Sequence, residues 1–392
     1  MLFKGEVDAV NASALKAELF AYAREIGIDK IGVCSAEPFD ELRVRLTEHR
    51  KKGYDSGFEE KDIEKRVDPS LTVPGAQSII AIAVAYPSKM PYNPAQAPGA
   101  YRGVMARVSW GQDYHHVLKE RLQALKDFLL ERIPHAKAEI MVDTGVLSDR
   151  AVAERAGLGW IGKNTALITP EFGSWVYLGE MVTDVFLPRD EPMSDGCGEC
   201  TRCLDACPTA ALVQPRQLNA RRCLAYLTLT RGSLEEKDRE KIGARLYGCD
   251  TCQTVCPYNQ RVNATHQEEF RPDPETSKPL LKPLLRMTKS EFREKYGASS
   301  ASWRGKKPIQ RNAIIALAHF KDTTAVPELA KLLYEDPRPV IRETAAWALH
   351  KIGGEEAERV LITAESKETD PTVKRQLQQY LEGSNKNCTG RS

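Results

Sequence analysis

The chain has 392 residues, 42% of them hydrophobic, and its 56 Lys plus Arg nearly balance 54 Asp plus Glu for a formal charge of +2. That length holds two or three domains, and the charge balance excludes a uniformly basic or acidic protein, so any nucleic-acid surface must be local. The longest apolar run, Ile79 to Ala85, is far short of the ~20 residues that span a bilayer. The opening Met1-Leu-Phe-Lys-Gly-Glu-Val-Asp has neither an export pattern nor a twin arginine. A reducing cytoplasm is the natural compartment.

In chain order, Ser13 to Ile26 reads as an amphipathic helix with Leu15, Leu19, Tyr22 and Ile26 on one face and Gly27 at its end. Ser13 is its expected N-cap. Ile28 to Cys34 follows as a strand, with Cys34 a buried apolar residue. A second helix is expected over Asp40 to Lys52. Ser78 to Tyr86, rich in β-branched residues and alanine, suits a buried central strand. Tyr114 to Leu130 is a strong helix with Val117, Leu118, Leu122, Leu125 and Leu129 inward. A short strand then leads into Asp143, a helix covers about Leu147 to Ala156, and a strand runs from Trp175 to Val182. Alternating helices and strands over about 185 residues point to one α/β domain. Gly157-Leu-Gly159-Trp-Ile-Gly162-Lys163-Asn164 imitates a nucleotide loop, but a helix precedes it where a strand belongs and Asn164 stands where a phosphate-binding loop has Ser or Thr. Close backbone approach is the better use of those glycines.

Eight of the ten cysteines fall between Cys197 and Cys256. Cys197, Cys200, Cys203, Cys207 and Pro208 make C-x₂-C-x₂-C-x₃-C-P, the run that wraps bacterial 4Fe–4S cubanes. Cys223 and then Cys249, Cys252, Cys256 and Pro257 form a second set. In such runs the fourth cysteine ligates the neighbouring cube. One cluster therefore takes Cys197, Cys200, Cys203 and Cys256, and the other takes Cys249, Cys252, Cys207 and Cys223. Structural zinc favours two separated C-x₂-C pairs, and disulfides need an oxidising compartment. Neither suits this pattern as well.

Phe270 to Pro283, rich in proline and acidic residues, reads as a connector. Beyond it, Ile309-Gln-Arg311-Asn-Ala-Ile is echoed by Val340-Ile-Arg342-Glu-Thr-Ala and more weakly by Val373-Lys-Arg375-Gln-Leu. A period in the low thirties, punctuated by Asp336-Pro337 and Asp370-Pro371, indicates HEAT-like helix pairs. At their entrance Trp303, Arg304, Lys306, Lys307 and Arg311 gather without an acidic residue. They are candidate contacts to nucleic-acid phosphates and bases. The tail after Gly383 reads as disordered.

Six further stretches carry a family resemblance: Asp62-Ile-Glu-Lys-Arg66-Val, Ser109-Trp-Gly-Gln-Asp-Tyr-His115, Val142-Asp143-Thr-Gly, Asp149 through Gly159, Leu246 through Pro257, and Trp303 through Asn312. Over nearly its whole length the chain resembles the epoxyqueuosine reductases, cobalamin-dependent enzymes of tRNA modification. The resemblance implies an α/β, nitroreductase- or dehalogenase-like cobalamin domain (1–185) and a ferredoxin-like domain with two 4Fe–4S clusters (186–265). A connector (266–302), HEAT-like repeats that hold tRNA (303–383) and a short tail complete it. The implied reaction removes the epoxide oxygen of wobble-position epoxyqueuosine with two electrons and two protons, giving queuosine and water. Asp143 matches the family's proton donor, and burial under the corrin is expected to raise its pKa. Arg66, Ala106, Asp143, Leu167, Leu178, Asp250 and Thr251 match cobalamin contacts. The D-x-H-x-x-G run that gives cobalt a histidine is absent, since Leu118 replaces its glycine after Asp113 and His115, so a base-off cobalamin is expected. An external electron donor and a monomer complete the expectation. The alternatives are a reductive dehalogenase-like enzyme acting on a small molecule and an iron–sulfur electron-transfer scaffold.

Overall fold

Ser78–Ala85 is buried along its entire length, which only a strand covered on both faces can be. The computed structural model describes residues 9–388, and within it this strand is the spine of the first of two compact units. That unit comprises the chain through Lys89, Gly111–Cys223 and Asp250–Arg271. Its elements are helix α1 (Ala9–Glu25), strand β1 (Lys30–Ser35), helix α2 (Asp40–Lys51), strand β2 (Ser78–Ala85), helix α3 (Tyr114–Arg132), strand β3 (Ala138–Met141), helix α4 (Asp149–Arg155) and strand β4 (Val176–Thr183). The sheet order is β1-β2-β4-β3, and every pairing is antiparallel. Helix–strand alternation in the sequence leaves strand direction open.

The two faces of β4 divide the unit. Val176, Leu178 and Val182 face the apolar cluster that includes Val152, Ala153 and Leu167. Gly179 lies under Leu122 of α3, whose Val117, Leu118, Leu122, Leu125 and Leu129 are buried as their spacing requires. Helix α1 starts before Ser13, which therefore sits inside it and is no cap. Cys34 is buried.

The second unit comprises Met90–Trp110, Leu224–Cys249 and the chain from Pro272 onward. The stretch read as a connector is part of this unit's core. Leu281, Leu284 and Leu285 sit at helical spacing in Leu281–Arg286, and with Phe292 and Tyr296 of Lys289–Tyr296 they are buried. Helices α5 (Lys306–His319), α6 (Val326–Glu335), α7 (Pro339–Ile352), α8 (Glu355–Lys367) and α9 (Pro371–Cys388) form the repeats. Helix α9 continues past Gly383, where the tail was expected to begin, because one glycine costs a helix only about 1 kcal/mol. Residues 389–392 lie outside the described residues.

Candidate active site and cluster-binding loops

Strand β3 ends at Met141, and two residues later Asp143 adopts φ +52°, a left-handed conformation uncommon for a residue with a side chain. Ser148, not Asp143, occupies the N-cap position of α4, so the aspartate is free of helix capping. Its backbone N–H donates instead to Asp149 Oδ2 at 2.8 Å. The Asp143 side chain is 60% exposed and meets His115 Nε2 at 3.3 Å. His115 Nδ1 lies 2.7 Å from Asp113 Oδ1, the carboxylate that also caps α3 through the His115 N–H. The imidazole is thus held between two carboxylates and stacked on Tyr114, which stacks in turn on Tyr177.

Burial opposes protonation of His115, but the hydrogen bonds to Asp113 and Asp143 outweigh it and lift the pKa to about 9. The His115 hydrogen bond in turn holds the Asp143 carboxyl below its ordinary range, against burial and with help from Tyr114. The raised pKa expected for Asp143 belongs to burial under a corrin; within the protein alone the His115 hydrogen bond prevails. The proton rests on His115, one hydrogen bond behind the exposed carboxylate. Two more acids lie behind the loop. Burial first, then the Asp143 charge, pushes Asp149 up to about 6. Glu180 on β4 is 1% exposed, and burial, then the charge of Asp149, raises it well above its ordinary value. Among the described residues neither Glu180 oxygen meets a hydrogen-bond partner, so burial leaves its protonated form favoured. Sequence reasoning missed His115 as Asp143's partner, although Asp113 two residues before it was the available signal.

The other expected cobalamin contacts fall as follows. Arg66, near the end of the short helix Ile63–Val67, is half-buried, and among the described residues no carboxylate closes on it as an ion pair. Desolvation lowers its pKa, Glu59 opposes that, and Arg150 and Arg50 add repulsion. A half-buried guanidinium in that state suits a ligand's phosphate or amide oxygens. Leu178 is half-buried, whereas Leu167 is 3% exposed within the apolar core and can offer only backbone. Asp250 and Thr251 open the helix Thr251–Thr254. Ala106 belongs to the second unit, where it is buried and its N–H donates to Tyr247 O at 2.8 Å.

The cysteine loops are built from tight turns around two short helices, Arg202–Asp205 and Thr251–Thr254, which pack together. Cys197, Cys200, Cys203 and Cys256 lie close enough for their charges to interact. Burial and the Cys197 and Cys256 thiolates push the Cys203 thiol up, and burial with Cys197 and Cys200 does the same to Cys256. Four thiolates in mutual repulsion fit a cationic iron–sulfur core. Around Cys207 burial opposes ionisation, but the backbone N–H groups of Leu212, Thr209 and Ala211 prevail and lower its pKa; Ala211 N–H reaches the sulfur at 3.3 Å. Cys207, Cys223 and Cys252 lie in the first unit, and Cys249 ends a segment of the second.

The basic entrance to the repeats separates into two kinds of residue. Trp303 is 51% exposed, with the Arg304 guanidinium 5.1 Å from its ring centroid. Lys306 and Lys307 are half-buried, and Lys306 Nζ donates to Met287 O. Arg311 is 1% exposed and cannot reach RNA. Its guanidinium donates to the carbonyls of Leu227, Thr230 and Gly232 at 2.7–2.9 Å, which ties the helix to the segment ahead of it in the same unit.

Cysteines spaced for two cubanes, in a chain that also presents a solvent-facing acid backed by a charged histidine, are the equipment of an iron–sulfur oxidoreductase. The family models divide the sequence in the same way. A 4Fe-4S double cluster binding domain matches residues 196–259, HEAT repeats match 304–382, and the model for epoxyqueuosine reductase QueG, DUF1730, matches 66–144. The epoxyqueuosine reductase of Bacillus cereus is 56% identical over 368 residues, spanning 94% of this chain and 97% of that one. That of Bacillus subtilis is 56% identical over 373 residues, 95% and 97% of the two chains. A crystal structure of an epoxyqueuosine reductase with an epoxyqueuosine-modified tRNA-Tyr stem loop superposes with a TM-score of 0.92 at 56% identity, covering 94% and 98% of the chains. The Bacillus subtilis enzyme with its catalytic aspartate loop swung out of the active site gives 0.92 at 55% identity over the same shares. This chain belongs to the epoxyqueuosine reductase family.

Proposed function

We propose that this protein reduces epoxyqueuosine in tRNA to queuosine, with Asp143 delivering the proton that the departing oxygen needs. Both ring C–O bonds break, a C=C bond forms, and the oxygen leaves as water after taking two electrons and two protons. The carrying observation is the Asp113–His115–Asp143 chain, an exposed carboxylate with a proton held one hydrogen bond behind it. Asp143 donates to the oxygen as negative charge develops there, a role that general acids fill with about 10²–10⁴-fold acceleration. That proton comes from His115, which passes it to the Asp143 carboxylate as Asp143 delivers it to the oxygen, and Asp113 holds the ring in register. The N–H of Asp143 on Asp149 keeps the loop in its strained, presenting conformation.

The two cysteine sets would hold 4Fe–4S clusters that pass electrons singly, loaded by an external donor. Arg66, Leu178 and the Asp250–Thr251 backbone would hold cobalamin, which when bound supplies a low-potential carrier for both electrons. Trp303, Arg304 and Lys307 would contact tRNA by stacking and charge. Among the described residues no helix is long and apolar enough to cross a membrane, and we assign the protein to the cytoplasm as a monomer.

The test is anaerobic incubation of the iron-loaded protein with cobalamin, a chemical reductant and epoxyqueuosine-containing tRNA, followed by nucleoside mass spectrometry. Loss of one oxygen from the modified base is expected. Unchanged epoxyqueuosine from a preparation with about eight irons and bound corrinoid would overturn the reading.

A further inference from the structure

The glycine-rich segment 157–164 has no part in the chemistry above, and the structure gives it a definite place. Trp160 and Ile161 pair with Ile168 and Leu167 as a two-stranded ribbon. A Cβ on Gly159 would sit 2.1 Å from Ile168 O, so glycine there lets the ribbon close. The ribbon grips the first cysteine loop on both sides of Cys197. On one side Gly196 lies against the Trp160 ring, where a Cβ would come within 2.5 Å of Cζ2 and 2.8 Å of Cη2. On the other, Lys163 Nζ donates to Gly198 O at 2.6 Å. Tyr258, two residues after Cys256, donates its hydroxyl to Gly196 O at 3.0 Å and sets its ring edge-on to Trp160 at 4.9 Å.

Trp160 is 4% exposed and packs with Ile168, Cys256 and Cys197. Its indole Nε1–H has no hydrogen-bond partner among the described residues. An unpaired buried donor costs about 1–3 kcal/mol, and native structures retain few of them without a ligand to meet. The apolar cluster around the ring includes two thiols assigned to one 4Fe–4S cluster, Cys256 and Cys197. Cζ2, the ring atom against Gly196, is two bonds from Nε1, and Cys197 is the next residue along the chain.

We propose that Trp160 is the hydrogen-bond donor to the cluster held by Cys197, Cys200, Cys203 and Cys256, and that its N–H on a cluster or cysteine sulfur raises that cluster's reduction potential. The inference rests on the reading that these four cysteines bind a 4Fe–4S cluster. Reduction adds negative charge to the sulfurs, so a fixed donor favours the reduced state. A hydrogen bond worth about 1.4 kcal/mol more to the reduced cluster changes its reduction equilibrium tenfold, or ~59 mV for one electron. Trp160 is a positioning and tuning residue in this scheme; it touches no substrate.

Redox titration of the reconstituted holoprotein, followed by electron paramagnetic resonance, tests this. Trp160→Phe keeps the ring and removes only the donor. One of the two cluster potentials is expected to fall by about that tenfold factor while the other stays, and a strongly coupled proton that exchanges in D₂O is expected to vanish from the spectrum of that cluster. A Trp160→Phe protein with a full iron complement and both potentials unchanged would overturn the proposal. Should the variant fail to load iron, the wild-type protein decides: absence of an exchangeable proton coupled to either cluster is equally fatal. A wild-type preparation with far fewer than about eight irons would instead refute the cluster reading beneath it.

Discussion

The loop at Asp143 and the helix start at Arg311 each place a charged side chain where the sequence suggested function, and the structure treats them oppositely. Asp143 is exposed, held at a positive φ, and paired with a histidine whose proton it can receive. Arg311 is enclosed, and its partners are carbonyl oxygens that neither titrate nor move with substrate. A charge that faces solvent from a strained turn, next to a titratable partner, is equipped for chemistry. A charge that ends on neutral backbone acceptors is part of the architecture.

That contrast is most exposed to test at Arg311. Arg311→Ala removes a buried guanidinium and its hydrogen bonds to the carbonyls of Leu227, Thr230 and Gly232, and is expected to destabilise the protein by about 1–3 kcal/mol in urea unfolding. Trp303→Ala, eight residues earlier, is expected to leave stability unchanged and weaken tRNA binding by about 1–3 kcal/mol, the usual worth of one stacked base. Equal effects of the two on stability would erase the distinction.

His115→Gln probes the other side. The folded protein holds the His115 proton more tightly than the unfolded chain. Its contribution is therefore complete below the ordinary 6.5 and lost as pH rises through about 9. Asp143 is shifted down, so its share is present above its ordinary 3.8 and lost as pH falls. The pair should contribute no more than about 1 kcal/mol, because Asp143 is exposed. The stability gap between wild type and His115→Gln should close above pH ~9, measured by chemical denaturation. Glu180→Gln probes the buried acid behind the loop. Because Glu180 keeps its proton when folded, wild-type stability falls as pH climbs past the ordinary carboxylate value of 4.5. The amide should flatten that slope between pH ~5 and ~8 in thermal unfolding, without loss of fold.

Much of this was legible in residue spacing. Cysteine intervals gave a double 4Fe–4S region, which the family model over residues 196–259 matches, and the helical period of Val117, Leu118, Leu122, Leu125 and Leu129 gave the face of α3. Strand direction was not legible, because an isolated strand carries no record of its neighbour. Arg311 was misread as a surface residue although a warning was present. Its counterpart in the next repeat, Arg342, is also an internal brace, bonded through two nitrogens to Glu368 at 2.8 Å. A residue recurring once per repeat serves the stacking of repeats. Asp113-Tyr-His115 was weighed only as a cobalt-ligand pattern. The helix cap that joins Asp113 to His115 and the turn that brings Asp143 to the imidazole are tertiary facts, and no sequence window holds all three residues.

The most direct measurement compares Asp143→Asn with wild type in a single turnover, using anaerobic protein loaded with cobalamin and reduced clusters, and epoxyqueuosine-tRNA in hand. The variant is expected to bind both corrinoid and tRNA and to unfold as wild type does, while deoxygenation slows by about 10²–10⁴-fold. Deoxygenation at the wild-type rate would contradict the assignment of Asp143 as proton donor.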